Sequence, residues 1–215
     1  MKNLLYKEIR LAMHPMALAF LALSAMLLIP NYPYYVIFFY TSLGVFFICL
    51  TGRENRDIFY TLSLPVNKRD VVSARMLTVV LLELAQLLTA GVFAAIKSAL
   101  PIPPNVVGID ANITFFGSSL AMLGLFNLVF FGSYYKAPDK VGTAFLKGCI
   151  AEAVYMIIAE MLVHAVPFAR DVLDTPDPQG MGAKLIALAV GALLFIGLTA
   201  LAWKKAMDSF EKLDF

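Results

Sequence analysis

The sequence predicts an all-α integral membrane protein: six transmembrane helices, an N-terminal interfacial amphipathic helix, and a short cytoplasmic helix between the second and third spans. Three observations predict it. Of the 215 residues, 60% are hydrophobic and only 15% charged, against about 25% charged in a soluble domain. So much apolar surface cannot be hidden in one small core and has to face lipid. Second, six apolar runs approach the roughly 20 residues that a spanning helix needs. Third, the basic residues are concentrated in alternate connections between those runs.

The runs lie at about 15–30, 33–51, 71–100, 113–133, 144–166 and 183–203. Proline or glycine punctuates their ends at Pro15, Pro30, Pro33, Gly52, Pro101 and Pro167. They are continuous rather than alternating, which argues against strands. They fill the chain as a single membrane domain, 1–215, with no room for a separate soluble one.

Orientation follows from lysine and arginine. The N-terminal segment carries Lys2, Lys7 and Arg10, and the second connection Arg53, Arg56, Lys68, Arg69 and Arg75. The fourth connection adds Lys136, Lys140 and Lys147, and the C-terminus Lys204, Lys205 and Lys212. Only Lys97, Arg170 and Lys184 fall on the other side. Both termini and the second connection are therefore expected in the cytoplasm of a cell-membrane protein. Tyrosines 32, 34, 35, 134 and 135 and Trp203 sit near the expected interfaces. The first segment has a signal-peptide-like layout, but five later spans and the lack of a cleavage site favour an uncleaved first helix.

NLLYKEIRLAMHP precedes the first span. Leu5, Ile9, Ala12 and Met16 share one helical face, and Lys7, Arg10 and His14 another. Such a helix, residues 1–14, lies in the membrane surface plane until Pro15 breaks it. His14 reads as a polar-face residue. Cys49 and Cys149 have no disulfide or zinc spacing and read as packing residues.

Three carboxylates interrupt apolar runs: Glu83 in the third, Glu152 and Glu160 in the fifth. Glu152, Met156 and Glu160 are spaced i, i+4, i+8, and His164 follows one turn on. Ionisable groups at membrane depth are costly and usually face protein or water. Glu83, Gln86, Glu152, Glu160 and His164 are accordingly candidates for a translocation path, as a proton relay or a cation-lined substrate route. The other reading is helix–helix hydrogen bonding, with Glu83 and Gln86 as partners of the fifth span. A zinc site from Glu160 and His164 lacks further ligands, so no metal is assigned. Small residues at Gly117, Ser118, Ser119, Ala121 and Gly124, and at Gly182, Ala187, Gly191 and Ala192, allow close helix approach.

Several classes lack a motif. A net charge of +2 without a basic run gives no case for nucleic acid. There is no G-x-x-x-x-G-K-[ST], no H-E-x-x-H and no G-x-S-x-G.

The most polar stretch is GRENRDIFYTLSLPVNKRD, residues 52–70, between two apolar runs. Gly52 is expected to end the second span. Arg53 to Leu64 can then form a short helix, with Glu54 and Asp57 near its N-terminal end and Ile58, Phe59 and Leu62 as an apolar patch. Pro65 stops it, and Asn67 and Asp70 can cap the next helix. From Lys68 to Leu100 that helix measures roughly 50 Å, longer than a hydrocarbon core of about 30 Å, so it begins in the cytoplasm. The positive-inside rule explains the arginines and lysines but not the acids or the apolar patch.

The amphipathic start NLLYKEIRLAMHP, the six spans and the phrase LSLPVNKRDVVSARM make the chain resemble type-2 ABC-transporter permeases, specifically short bacterial six-span members. The resemblance covers essentially the whole chain. It implies a non-enzymatic membrane subunit of an ATP-driven exporter. A separate cytoplasmic P-loop ATPase would bind ATP and magnesium, none being bound by this chain, and a second permease chain would complete a homodimer or heterodimer. It further implies that Arg53, Glu54, Arg56, Asp57, Ile58, Phe59 and Leu62 belong to a coupling helix that docks on the ATPase. A membrane-dipping element between the fifth and sixth spans would fall in VPFARDVLDTPDPQG. Two alternatives stand beside it: a small importer component of the vitamin-uptake type, and an intramembrane enzyme or immunity-type binding protein using Glu83, Glu152 and Glu160.

Overall fold

A computed structural model describes residues 2–213, and among these the protein is helical throughout, without strands. Helix α1, Lys2–Lys7, runs on as a π-helical turn, Glu8–Ala12. Helix α2, Pro15–Ala19, tightens into a 3₁₀ stretch, Phe20–Leu28. Then come α3 (Val36–Glu54), α4 (Asp57–Leu62), α5 (Lys68–Ala99), α6 (Ile113–Tyr134), α7 (Val141–Ala165) and α8 (Met181–Glu211).

Helices α3, α5, α6 and α8 are each long and apolar enough to cross a membrane. The bent pair Lys2–Ala12 and Pro15–Leu28 raises the number to as many as five if it is counted as one span. The sequence led to an expectation of six. The first expected span is not one regular helix, because Pro15 breaks the chain through 85° and the remainder is part α, part 3₁₀. The fifth, α7, is 25 residues long and carries Lys147, Glu152 and Glu160; it is not among the four.

The N-terminal bend has a local cause. Pro15 occupies the first position of α2, where a missing N–H costs nothing. His14 is the cap: its Nδ1 accepts from the Met16 amide at 3.1 Å, and its ring stacks on Phe47. The polar-face role expected for His14 is replaced by this structural one. The buried face of the preceding helix is also not the expected apolar stripe. Leu4 and Glu8 point inward, while Ile9 and Leu11 are exposed.

Helix α6 packs most extensively against α8, then against α7. Glycine explains the closeness. A Cβ on Gly117 would lie 2.7 Å from the Ala187 carbonyl oxygen, and one on Gly191 would overlap the Gly117 backbone. Gly124 meets the Phe195 backbone in the same way. Two apolar clusters fill the bundle, one around Ile48, Val72, Phe126, Phe130 and Phe210, the other around Tyr34, Phe38, Phe115 and Leu123.

Gly191→Val should force α6 and α8 apart and destabilise the protein by about 1–3 kcal/mol or more. Gly197→Ala, on the same helix with open space at its Cβ, should be neutral or stabilising by up to about 1 kcal/mol. Thermal unfolding in detergent compares them, and equal melting temperatures would contradict the close-approach account.

Candidate functional site

The second connection departs from its expected layout at its start. Helix α3 does not end at Gly52 but continues to Glu54, so Arg53 and Glu54 belong to its last turn. Arg56, at φ 51°, occupies the left-handed region and turns the chain. The short helix is therefore Asp57–Leu62, and of the expected coupling residues it contains Asp57, Ile58, Phe59 and Leu62. Asn67 stands at the N-cap of α5 but makes no side-chain cap bond; its amide instead reaches Asp70 at 3.5 Å. The long third helix runs from Lys68 as expected.

A network of charges ties α4 to the body. The Arg75 side chain on α5 is buried, only 4% exposed. It makes two bonds to the Glu8 carboxylate, from Nε to Oε2 and from Nη2 to Oε1, the latter at 3.2 Å. Its Nη2 also donates to Asp57 Oδ2 at 2.7 Å. Lys7 closes the ring, 2.5 Å from Asp57 Oδ1, 3.1 Å from Glu8 Oε1 and 2.9 Å from Thr61 Oγ1. Three segments thus meet: the N-terminal helix, α4 and α5. Gly52 makes room, since a Cβ there would stand 3.3 Å from Arg75 Nη1. Planar, forked and permanently charged, arginine suits such a bidentate buried contact.

The outer face of α4 is different. Phe59 is 57% exposed and Tyr60 68%. Ile58 packs on the core cluster. A cavity of about 300 Å³ opens beside Phe59, lined also by Arg53, Arg56, Tyr134, Pro138 and Asp139. Arg53 Nη1 reaches the Asp139 carbonyl at 3.4 Å, and Glu54 is 3.8 Å from Arg53.

The five expected path residues separate into two places. Glu83, Gln86 and Glu152 are buried within the bundle. Glu83 Oε2 accepts from Asn127 Nδ2 at 3.1 Å, Gln86 Nε2 donates to Ser24 Oγ at 2.7 Å, and Ser42 Oγ donates to Glu152 Oε1 at 2.6 Å. Glu160 and His164 instead fasten the loop 101–112. Glu160 Oε2 accepts the Ile109 amide at 3.0 Å, and His164 Nε2 meets the Val107 carbonyl at 3.1 Å. Gly108 is bare because a side chain there would overlap the Glu160 carboxylate.

The segment 166–180, read from the sequence as a membrane-dipping element, supplies a π-helical turn, Ala169–Leu173, and a loop bonded to its counterpart. Asp174 accepts the Asp110 amide at 2.7 Å, Asp177 the Ile113 amide at 3.1 Å, and Asn112 donates to the Leu173 carbonyl at 2.9 Å. Lys97 pairs with Asp110 and donates to Tyr34 Oη at 2.8 Å. Lys184 pairs with Asp177 at 2.9 Å. Burial pushes the Asp174 carboxyl above its ordinary range, partly offset by the Asp110 amide.

Sequence reasoning missed Glu8, which it did not single out, and Arg75, Lys97 and Lys184, which it counted only as topological charges. No group of three His, Cys, Asp or Glu able to hold a metal occurs among the described residues.

Fold and site together define a multi-pass helical membrane protein with a short helix held beneath the bundle and no catalytic constellation among the described residues. The chain belongs to the ABC-2 family transporter proteins, whose sequence pattern matches residues 3–211. It is therefore a membrane permease of an ABC-type transporter, and the family implies association with an ATP-binding ABC subunit. Comparison with curated proteins and with solved structures gave no match.

Arg75→Met should leave the buried Glu8 with Lys7 as its one remaining counter-charge and cost up to about 3–5 kcal/mol. The double variant Glu8→Leu/Arg75→Met should lose less, because no uncompensated charge remains at that pair. Unfolding in detergent reads both. A double variant as unstable as the single one would mean that packing, not charge, sets the cost.

Proposed function

We propose that this chain is the membrane-spanning permease subunit of an ATP-driven exporter, with six spans, both termini cytoplasmic, and α4 as its coupling helix. The observation that carries the reading is the contrast between the two sides of α4. Its inner side is held by buried charge–charge contacts, while Phe59 and Tyr60 face outward without cover. An exposed aromatic pair rimmed by Arg53, Glu54 and Arg56 is the composition of an interface anchor with a charged rim.

In this reading a cytoplasmic P-loop ATPase binds ATP and magnesium and docks on α4. Its closure displaces α4, and the Asp57–Arg75 contact passes the displacement to α5. A second permease chain completes the path. The apolar stripe of α7, with Leu146, Ile150, Val154, Ile157 and Met161 all exposed, is left for lipid or for that chain. Glu83, Gln86 and Glu152 are the candidates for lining the path, and Glu160 and His164 for holding its outer closure.

Phe59→Ala and, separately, Glu54→Arg should leave the chain folded and inserted. Phe59→Ala should weaken binding to the ATPase by about 2 kcal/mol, roughly 30-fold. Glu54→Arg should uncouple ATP hydrolysis from transport. Co-purification and substrate-stimulated ATPase activity in reconstituted membranes measure these, and wild-type behaviour from both variants would reduce the segment to a topological signal. For orientation, a Val106→Cys variant in a background lacking Cys49 and Cys149 should react with an impermeant thiol reagent in intact cells. Tyr60→Cys in the same background should react only after permeabilisation; the reverse pattern would invert the topology.

A further inference from the structure

We propose that Glu83 and Glu152 form a proton-binding site at the centre of the helix bundle, occupied in this packed arrangement. The two carboxyls lie near the midpoints of α5 and α7 and are 1% and 0% exposed. The buried basic groups each have an opposite partner: Arg75 with Glu8 and Asp57, Lys97 with Asp110, Lys184 with Asp177. Among the described residues, Glu83 and Glu152 meet only neutral groups. From α6, Glu83 meets the Asn127 amide, which also donates to Thr199 of α8 at 3.2 Å. From α3, Glu152 meets the Ser42 hydroxyl. The thiol of Cys149 stands one turn away on its own helix, and the charged group within electrostatic reach is Glu83.

Hydrogen-bond accounting points to the missing species. Among the described residues, Glu83 Oε1, Glu152 Oε2, Asn127 Oδ1 and Gln86 Oε1 are all buried without a partner. All four are acceptors, and Asn127 has already committed its N–H groups to Glu83 and Thr199. The cluster is short of donors. A proton on each carboxyl adds a donor, removes a charge that a low-dielectric interior disfavours, and needs no added volume. A hard metal ion takes about six or more oxygen ligands, more than these four oxygens supply. On opening to water each O–H bond breaks with its electron pair left on oxygen. Two protons pass to water and two carboxylates remain.

The test is infrared spectroscopy of the full chain in lipid nanodiscs at pH 7, in H₂O and D₂O. Wild type should show buried carboxylic-acid carbonyl absorption that shifts on deuteration. Glu83→Gln should remove one component and Glu152→Gln the other, while Glu83→Asp and Glu152→Asp, which keep an acid, should move the component instead. Circular dichroism confirms folding of each variant. Absence of the absorption from wild type, or its survival in the double Gln variant, would overturn the site. Loss in only one of the two Gln variants would overturn the pairing.

Discussion

The guanidinium of Arg75 is the contact on which the end of the bundle that carries α4 depends. It is buried between two carboxylates that come from different ends of the local chain, Glu8 and Asp57. A buried charge without partners is among the costliest features a fold can carry. Arg75 therefore cannot release either acid without exposing itself to that cost. This fixes where α4 sits, since Asp57 and Thr61 are both held from below by the same network. It also explains the inward-facing Glu8 on a helix whose composition otherwise belongs at a membrane surface, and the glycine at position 52, which leaves space for the guanidinium.

Helix α5 links this contact to the rest. Its 32 residues span about 48 Å. Arg75 lies near its lower end, Glu83 and Gln86 in its middle, and Lys97 near its upper end, where it holds Asp110 and Tyr34. A rigid helix with polar attachments at three heights resists sliding in parts. In the proposed permease, a push on α4 reaches the outer loops through one element rather than through a chain of soft contacts. The loops 101–112 and 166–180 are themselves bound by side chains to backbone amides, through Glu160, Asp174 and Asp177. Glu160 and Asp174 can release these amides without leaving a fully buried acid, whereas Asp177 also holds the buried Lys184.

Much of this was legible in the sequence because hydrophobic runs and proline positions report directly on helices. The helices α5, α6 and α8 fall where their apolar runs lie, and LSLPVN marks the stop and restart around α4. The misses share a cause. Periodicity can tell which face of a helix is apolar but not which charge has a partner far away in sequence. Glu8 and Arg75 are 67 residues apart, and Arg75 was read as one more positive charge obeying the topology rule. Lys97 and Lys184 were the minority charges on the outer side, and that exception was their only signal. Gly52 was read as a helix stop, but α3 continues past it and its missing side chain faces the Arg75 guanidinium. The irregularity of the first run was not legible, because a 3₁₀ stretch such as Phe20–Leu28 has no sequence signature distinct from an α-helix of the same apolar residues.

The polar groups thus follow two rules at different depths. At the two ends of the bundle the buried bases are each matched by an acid, Arg75 by Glu8 and Asp57, Lys97 by Asp110 and Lys184 by Asp177, so each base is held in place. In the middle, acids are matched only by amides and hydroxyls, whose bonds are weaker and exchangeable with water. A bundle built this way is firm where it must be gripped and yielding where helices must part. Gln86 bonding Ser24 and Asn127 bonding Glu83 are contacts that water can replace, whereas Arg75 between Glu8 and Asp57 is not. In the proposed permease, that difference puts the opening of a path along the α3, α5, α6 and α7 faces that carry Ser42, Glu83, Asn127 and Glu152, and the leverage at α4.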